Sequence, residues 1–210
     1  MKTKFLTAAA FICTMFYANA QEGVTSSEDI DSDMNSSRGM IFNRGDMFVE
    51  GGLKIVNGST EDAYAVRAKV GYFLNSKVAV GGQASFGSTE DDVTSIKTDV
   101  FGVGAFARYY FLELDEKRFK AFGEAGLGYG KNKTEGPGFE DNNNSITADI
   151  NLGLNYFFTK NLAATFTLAN MLSYNSVSPE NGDSVNKFEL NINLFENIFA
   201  QPQFGVLYKW

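Results

Sequence analysis

Histidine is absent from this chain of 210 residues, and cysteine occurs once, at position 13. Without histidine, the chain lacks the side chain that most often acts as a general base near neutral pH. Cys13 lies in an N-terminal apolar segment that we predict to be removed, so the mature chain would also lack a thiol nucleophile. No catalytic, metal-binding or cofactor-binding motif stands out elsewhere. We therefore predict no enzymatic activity, no metal and no cofactor.

An excess of positive charge is missing as well. Lys and Arg total 18 against 25 Asp and Glu, which gives a formal net charge of −7. Because binding to phosphate groups needs a basic surface, this balance argues against nucleic acid as a partner. Proline occurs only 3 times whereas glycine occurs 21 times, a balance typical of a strand-rich chain rather than a disordered one.

Long apolar runs are missing after the N-terminal segment. Lys2 and Lys4 precede an apolar run over residues 5–18, and Ala18-Asn19-Ala20 has the form of an A-x-A cleavage site. The run is too short to span a bilayer as a helix. We therefore predict a signal peptide over residues 1–20 and export of the mature chain. Its removal takes away two lysines and no acidic residue, so the formal charge changes from −7 to −9.

An acidic and serine-rich stretch, residues 21–44, follows the predicted signal peptide. Its polarity predicts a flexible segment that precedes the folded domain at 45–210. The spacing Asp29-x-Asp31-x-Asp33 is similar to the start of a calcium-binding loop. However, methionines occupy the positions of the turn glycine and of the bidentate glutamate, so we interpret this stretch as solvated.

From residue 46 onward, apolar residues recur with a period of two. Each alternating segment has one face without any charged residue, which is typical of strands and not of helices. The polar connections between the segments alternate between long and short, as the loops and turns of an outer-membrane barrel do. The eight segments are residues 47–55, 64–72, 78–86, 101–111, 119–129, 148–158, 162–170 and 202–210. The predicted long connections are residues 57–62, 88–94, 131–145 and 173–186.

The final segment alternates up to an aromatic residue, Trp210, which fits a last strand that closes a barrel. Residues 187–194 alternate too, so a separate count would give nine strands, an odd number that bacterial single-chain barrels avoid. We predict one long final strand, with ten strands that include residues 38–44 as the alternative. Aromatic residues cluster near the short turns and would form a girdle at the membrane interface. They are Tyr72, Tyr109, Phe111, Phe119, Tyr156, Phe158, Tyr208 and Trp210.

The signal peptide, eight amphipathic strands, alternating connections and terminal aromatic together resemble the small bacterial outer-membrane β-barrel family. That family includes OmpX-like and OmpW-like proteins and the barrel domain of OmpA. The resemblance covers residues 45–210 and implies an all-β, eight-stranded antiparallel up-and-down transmembrane barrel with both termini in the periplasm. It also implies a monomer in contact with outer-membrane lipid and lipopolysaccharide, received by the barrel-assembly machinery through its C-terminal strand. The active sites of enzymes in this family resemble Ser-His-acid or Asp-His arrangements. This chain has no histidine and cannot form either of them.

Charged residues are confined to the inward faces of the predicted strands. When the strands are aligned by their short-turn ends, Glu50, Arg67, Lys69 and Glu124 lie at similar depth. We predict that they form a luminal ionic network with a structural role, since the interior of an eight-stranded barrel is narrow enough to be filled by side chains. The functional alternative is a gated path for ions or small solutes.

Three functions are compatible with this sequence. We predict a non-enzymatic outer-membrane barrel with a filled lumen, which acts structurally or through its extracellular loops. The first alternative is a narrow channel or carrier for small solutes, apolar ones among them, as the OmpW-like resemblance implies. The second is a soluble barrel of lipocalin type, in which the uncharged face would line a ligand cavity.

Overall fold

Antiparallel β-strands form most of the protein. The computed structural model describes residues 37–57, 61–91, 93–179, 184–190 and 203–210. The predicted signal peptide and residues 21–36 lie outside the described residues. Within the described ranges, no helix is long and apolar enough to cross a bilayer. The strands are β1 (Met47–Asn57), β2 (Glu61–Phe73), β3 (Val78–Asp91), β4 (Ile96–Leu114), β5 (Phe119–Gly136), β6 (Phe139–Phe157), β7 (Leu162–Pro179), β8 (Val185–Leu190) and β9 (Gln203–Lys209).

The strands close into a ring with eight positions. Strands β1 to β7 pair in chain order, and β9 closes the ring because it pairs with both β7 and β1. Strand β8 pairs with the distal part of β7, so β8 and β9 share the eighth position. The prediction of an eight-stranded antiparallel barrel is thus confirmed. Residues 38–44 form turns and irregular backbone instead of a strand, so the ten-strand alternative is wrong.

Several strands extend into stretches that the sequence analysis assigns to long connections. Strands β5 and β6 are joined only by Pro137-Gly138, and Gly138 has a φ of 86°, which favours glycine. Strand β7 continues to Pro179. The predicted loops 131–145 and 173–186 are therefore mostly strand. These strand ends carry polar residues on both faces, so hydrophobic alternation does not mark them although the backbone ladder continues.

The uncharged face of each strand points outward. Leu127, Phe204 and Phe101 on this face are more than half exposed on the isolated barrel. A barrel whose outer wall is apolar suits lipid and not water. The lipocalin alternative is therefore wrong, because it requires this face to line the interior. Asn170 is one exception to the predicted faces, since two register shifts between β6 and β7 place it on the lining of the lumen.

Residues 37–46 pack against the end of the barrel where the short turns lie, which we call the turn end. Met40 and Phe42 are buried in the barrel core. The Gly39 N–H donates to the Glu116 carbonyl at 2.6 Å, and the Arg38 side chain pairs with the Glu116 carboxylate at 3.1 Å. The predicted flexible segment extends to residue 44, but the described part of it, from residue 37, is attached to the barrel by these contacts.

Candidate functional site

A layer of aromatic side chains fills the lumen at the turn end. The Phe42 ring stacks on Phe73 with centroids 4.0 Å apart and lies 4.7 Å from the Tyr110 ring. Phe73 and Tyr110 sit at inward positions of strands whose outward positions face lipid, and Phe42 belongs to the segment before β1. Packing against one another removes the three rings from water. We call the following residues the aromatic layer, in which one leucine packs among the rings: Phe42, Phe48, Phe73, Phe106, Tyr110, Phe122, Phe157 and Leu207, all of them buried.

Glycines on neighbouring strands provide the space for these rings. A Cβ atom at Gly71 would overlap the ring of Phe48, and one at Gly153 would overlap the ring of Phe122. The aromatic layer therefore depends on a matching set of inward positions without side chains. This pairing of a large ring with a glycine on the next strand lets a narrow barrel hold several aromatic side chains at one level.

Four charged side chains form a buried cluster next to the aromatic layer, on the side away from the turn end. Arg108 Nη1 lies 2.8 Å from Glu50 Oε2, and Arg108 Nη2 lies 2.7 Å from Glu124 Oε2. Lys69 Nζ donates to Glu124 Oε1 and lies 3.7 Å from Glu50 Oε1. All four residues are at most 9% exposed. Two carboxylates and two cations thus balance in charge, and each carboxylate contacts both cations. We call this set the ionic cluster.

Arg108 joins the ionic cluster to the aromatic layer. Its guanidinium carbon lies 4.0 Å from the centroid of the Phe122 ring, within the range of a cation–π interaction. Arg108 Nη1 also lies 3.4 Å from the Tyr110 hydroxyl, which donates to Asn155 Oδ1 at 3.0 Å. The Asn155 amide in turn donates to Thr165 Oγ1 at 2.6 Å. This chain of contacts links β4 to β7, so charged, polar and aromatic groups together lie across the lumen.

The structure brings together three of the four residues predicted for the luminal network: Glu50, Lys69 and Glu124. Arg67 lies farther from the turn end, where its exposed side chain lines a cavity. Arg108 lies on the charged face of the predicted strand 101–111 but was not part of the predicted network. Arg108 is directly opposite Glu124 in the β4–β5 register, and that pairing of opposite charges is the signal that could have identified it.

A cavity of about 650 Å³ occupies the lumen on the side of the ionic cluster that faces away from the aromatic layer. It lies at the end of the barrel with the strand extensions, which we call the loop end. Polar groups dominate its inward-facing lining, among them Arg67, Ser85, Thr147, Asn151 and Asn175. The lumen therefore contains open space on the loop-end side of the ionic cluster.

The predicted interface aromatics lie on the outer wall near the turn end. Tyr156 contacts Phe158 with ring centroids 5.4 Å apart, and Tyr208 stacks with Trp210 at 6.2 Å. Side chains with an apolar body and a polar tip suit the boundary between lipid and water. No group of three or more potential metal-ligating side chains is found among the described residues.

Comparison with known proteins gives one family match. A family model described as an outer membrane protein beta-barrel domain matches residues 9–194. No curated protein matches the sequence.

Solved structures of outer-membrane barrels are similar to this chain. OprG from Pseudomonas aeruginosa matches with a TM-score of 0.50 and 13% identity, over 81% of this chain and 98% of that one. Neisserial surface protein A matches with a TM-score of 0.49 and 18% identity, over 79% and 94%. The N-terminal barrel domain of Pseudomonas aeruginosa OprF matches with a TM-score of 0.45 and 17% identity, over 80% and 98%. At these identities the likeness concerns the fold alone.

Proposed function

The chain belongs to the outer membrane protein β-barrel domain family, and we propose that it is a non-enzymatic barrel of the bacterial outer membrane with a closed lumen. In this proposal the aromatic layer and the ionic cluster seal the turn end, and the protein acts structurally or through the surface of its loop end. The observation that carries the proposal is the ionic cluster, in which Arg108 and Lys69 bridge Glu50 and Glu124 across the lumen.

Closure follows from the energetics of this cluster. An opening would separate buried charges, and leaving one such charge without its partner typically costs about 3–5 kcal/mol. Glu50 and Glu124 each contact two cations, so neither carboxylate is available as a general acid or base for a substrate. The sequence also contains no histidine. Both observations support a structural role for the cluster and a protein without catalysis.

Orientation and assembly are also part of the proposal. We place the turn end and both termini of the mature chain in the periplasm after removal of residues 1–20, with a barrel domain that begins near residue 45. The backbone of Trp210 exchanges two hydrogen bonds with Met47, at 3.0 and 3.1 Å, so the last strand seals the ring at the turn end. This closing role supports recognition of the C-terminal strand by the barrel-assembly machinery. A single chain completes the ring, which supports a monomer.

Lipid contacts follow from the outer wall. The interface aromatics would lie at the periplasmic boundary of the membrane. Lys131 is exposed on the outward face nearer the loop end, opposite Phe101 in the β4–β5 register. A cation next to the apolar wall at that level supports a contact with the phosphate groups of lipopolysaccharide.

The second candidate function is a narrow channel or carrier for small solutes. The cavity of about 650 Å³ favours it, because this part of the lumen is not filled by side chains. In a closed barrel, the cavity ends at the ionic cluster. A channel requires a continuous path past the ionic cluster to the turn end.

A liposome-swelling assay with glycerol separates the two functions. Proteoliposomes with the wild-type protein should swell at the rate of protein-free liposomes. A variant with Arg108→Ala and Phe106→Ala should swell faster, because it removes one large side chain from each blocking layer. Arg38→Ala is the control, since Arg38 lies at the surface. Fast swelling with the wild-type protein would support the channel and contradict the closed barrel.

A further inference from the structure

The wall of the cavity at the loop end is built from glycines faced by hydroxyl groups. A Cβ atom at Gly128 would lie 2.7 Å from Thr147 Oγ1, and one at Gly130 would lie 2.8 Å from Ser145 Oγ. A Cβ atom at Gly102 would lie 2.8 Å from Ser85 Oγ. The glycines therefore allow hydroxyls from the neighbouring strands to lie against the backbone. They keep the centre of the cavity open and its surface polar.

The positive and negative side chains that line the cavity are equal in number. Lys187 Nζ lies 2.7 Å from Glu189 Oε1, and the Asn151 amide donates to Asp149 Oδ1. Arg67 adds a cation, and Asp149 is the second anion of the set. Two cations and two anions leave no net charge in the cavity, so the lining does not favour an anionic or cationic ligand.

Amide side chains add further polar groups to this lining. Asn151, Asn170 and Asn175 all line the cavity. An amide donates hydrogen bonds through its nitrogen and accepts them through its oxygen, so these residues supply both kinds of group at the cavity wall.

We propose that the cavity at the loop end binds a neutral polyhydroxyl ligand, that is, a saccharide. Sugar hydroxyls both donate and accept hydrogen bonds, which matches a lining of hydroxyl and amide groups without net charge. The volume of about 650 Å³ is within the usual range of ligand-binding pockets. The proposal rests on the closed lumen, because a cavity that ends blindly at the ionic cluster retains a ligand instead of passing it on.

A glycan array tests this proposal with the full mature chain in detergent micelles. The array carries neutral oligosaccharides and acidic ones of the same length, and titration calorimetry then gives the affinity for the strongest binder. We expect binding to neutral glycans, and Asn175→Leu should weaken it about tenfold or more. Asn142→Leu is the matched control, because Asn142 is exposed on a neighbouring strand. Thr147→Val provides a second, nearly isosteric variant if Asn175→Leu does not fold.

Three results would overturn the proposal: no neutral glycan bound, a preference for the acidic glycans, or an affinity unchanged in both cavity variants. A parallel titration compares the free oligosaccharide with lipopolysaccharide that carries the same sugar. If the cavity variants weaken binding of the free oligosaccharide or of the lipopolysaccharide, the result supports the proposed site. The ligand that is bound shows whether the sugar is free or attached to lipid. The liposome-swelling assay on the same preparation reports separately whether the lumen is closed.

Discussion

Arg108→Met is the substitution that tests the ionic cluster most sharply. Methionine keeps much of the volume of arginine and can pack on the Phe122 ring, so the main loss is the positive charge. The cluster then holds Glu50, Glu124 and Lys69, with a net charge of −1 in a nearly inaccessible site. The two carboxylates share one cation and repel each other.

The magnitude follows from the contact geometry. Arg108 contacts Glu50 at 2.8 Å and Glu124 at 2.7 Å, and at an effective dielectric constant of 20 each contact contributes about 6 kcal/mol of Coulomb energy. Much of this is offset by the cost of removing the arginine from water. The typical net cost of breaking a buried pair is about 3–5 kcal/mol, which we expect for Arg108→Met.

Guanidinium-induced unfolding in lipid vesicles measures this cost, with the single tryptophan, Trp210, as the fluorescent reporter. The double variant Arg108→Met with Glu50→Gln restores charge balance and should recover about 1–3 kcal/mol relative to Arg108→Met alone. Arg38→Met, which breaks an exposed pair, should cost less than about 1 kcal/mol. A cost below 1 kcal/mol for Arg108→Met, or further destabilisation in the double variant, would refute this account of the cluster.

Two further substitutions test the packing at the turn end by the same unfolding measurement. Phe42→Ala should lower the free energy of unfolding by about 3–5 kcal/mol because it leaves a cavity in the aromatic layer. Ile41→Ala is the control and should cost less than about 1 kcal/mol, because Ile41 is half exposed. Equal costs would mean that residues 37–46 do not pack against the turn end. Gly71→Ala should cost about 1–3 kcal/mol because its methyl group overlaps a buried ring, and Gly123→Ala, where nothing lies within 4 Å, is the control that should be nearly neutral.

The outer wall of the barrel could be predicted because lipid requires it to be uniformly apolar. Positions such as Leu127 and Phe204 follow strict alternation with no charge on their face, and the structure places them outside. The strand extensions toward the loop end could not be predicted in this way. Both faces of β5 there carry polar residues, as the consecutive residues Lys131 and Asn132 illustrate, so only the backbone ladder shows that the strand continues.

The inward face was harder to interpret from the sequence. Depth in the lumen depends on register: Lys69 is opposite Glu50 in the β1–β2 register, whereas Arg67 is opposite Gly52, one inward position farther from the turn end. Aligning strands by their expected turn ends grouped Arg67 with the acidic residues, whereas the structure places Arg108 between them. The attachment of residues 37–46 was missed because Met40, Ile41 and Phe42 form a short apolar run with polar residues around it and no periodicity that would indicate a packed element.

Single-channel recording of the purified wild-type protein in a planar lipid bilayer tests the central claim most directly, since ions are smaller than the solutes of the swelling assay. With the aromatic layer and the ionic cluster in place, the current should stay at the level of the bare membrane at both polarities of the applied voltage. Discrete openings of one reproducible conductance, present in independent preparations, would contradict the closed lumen.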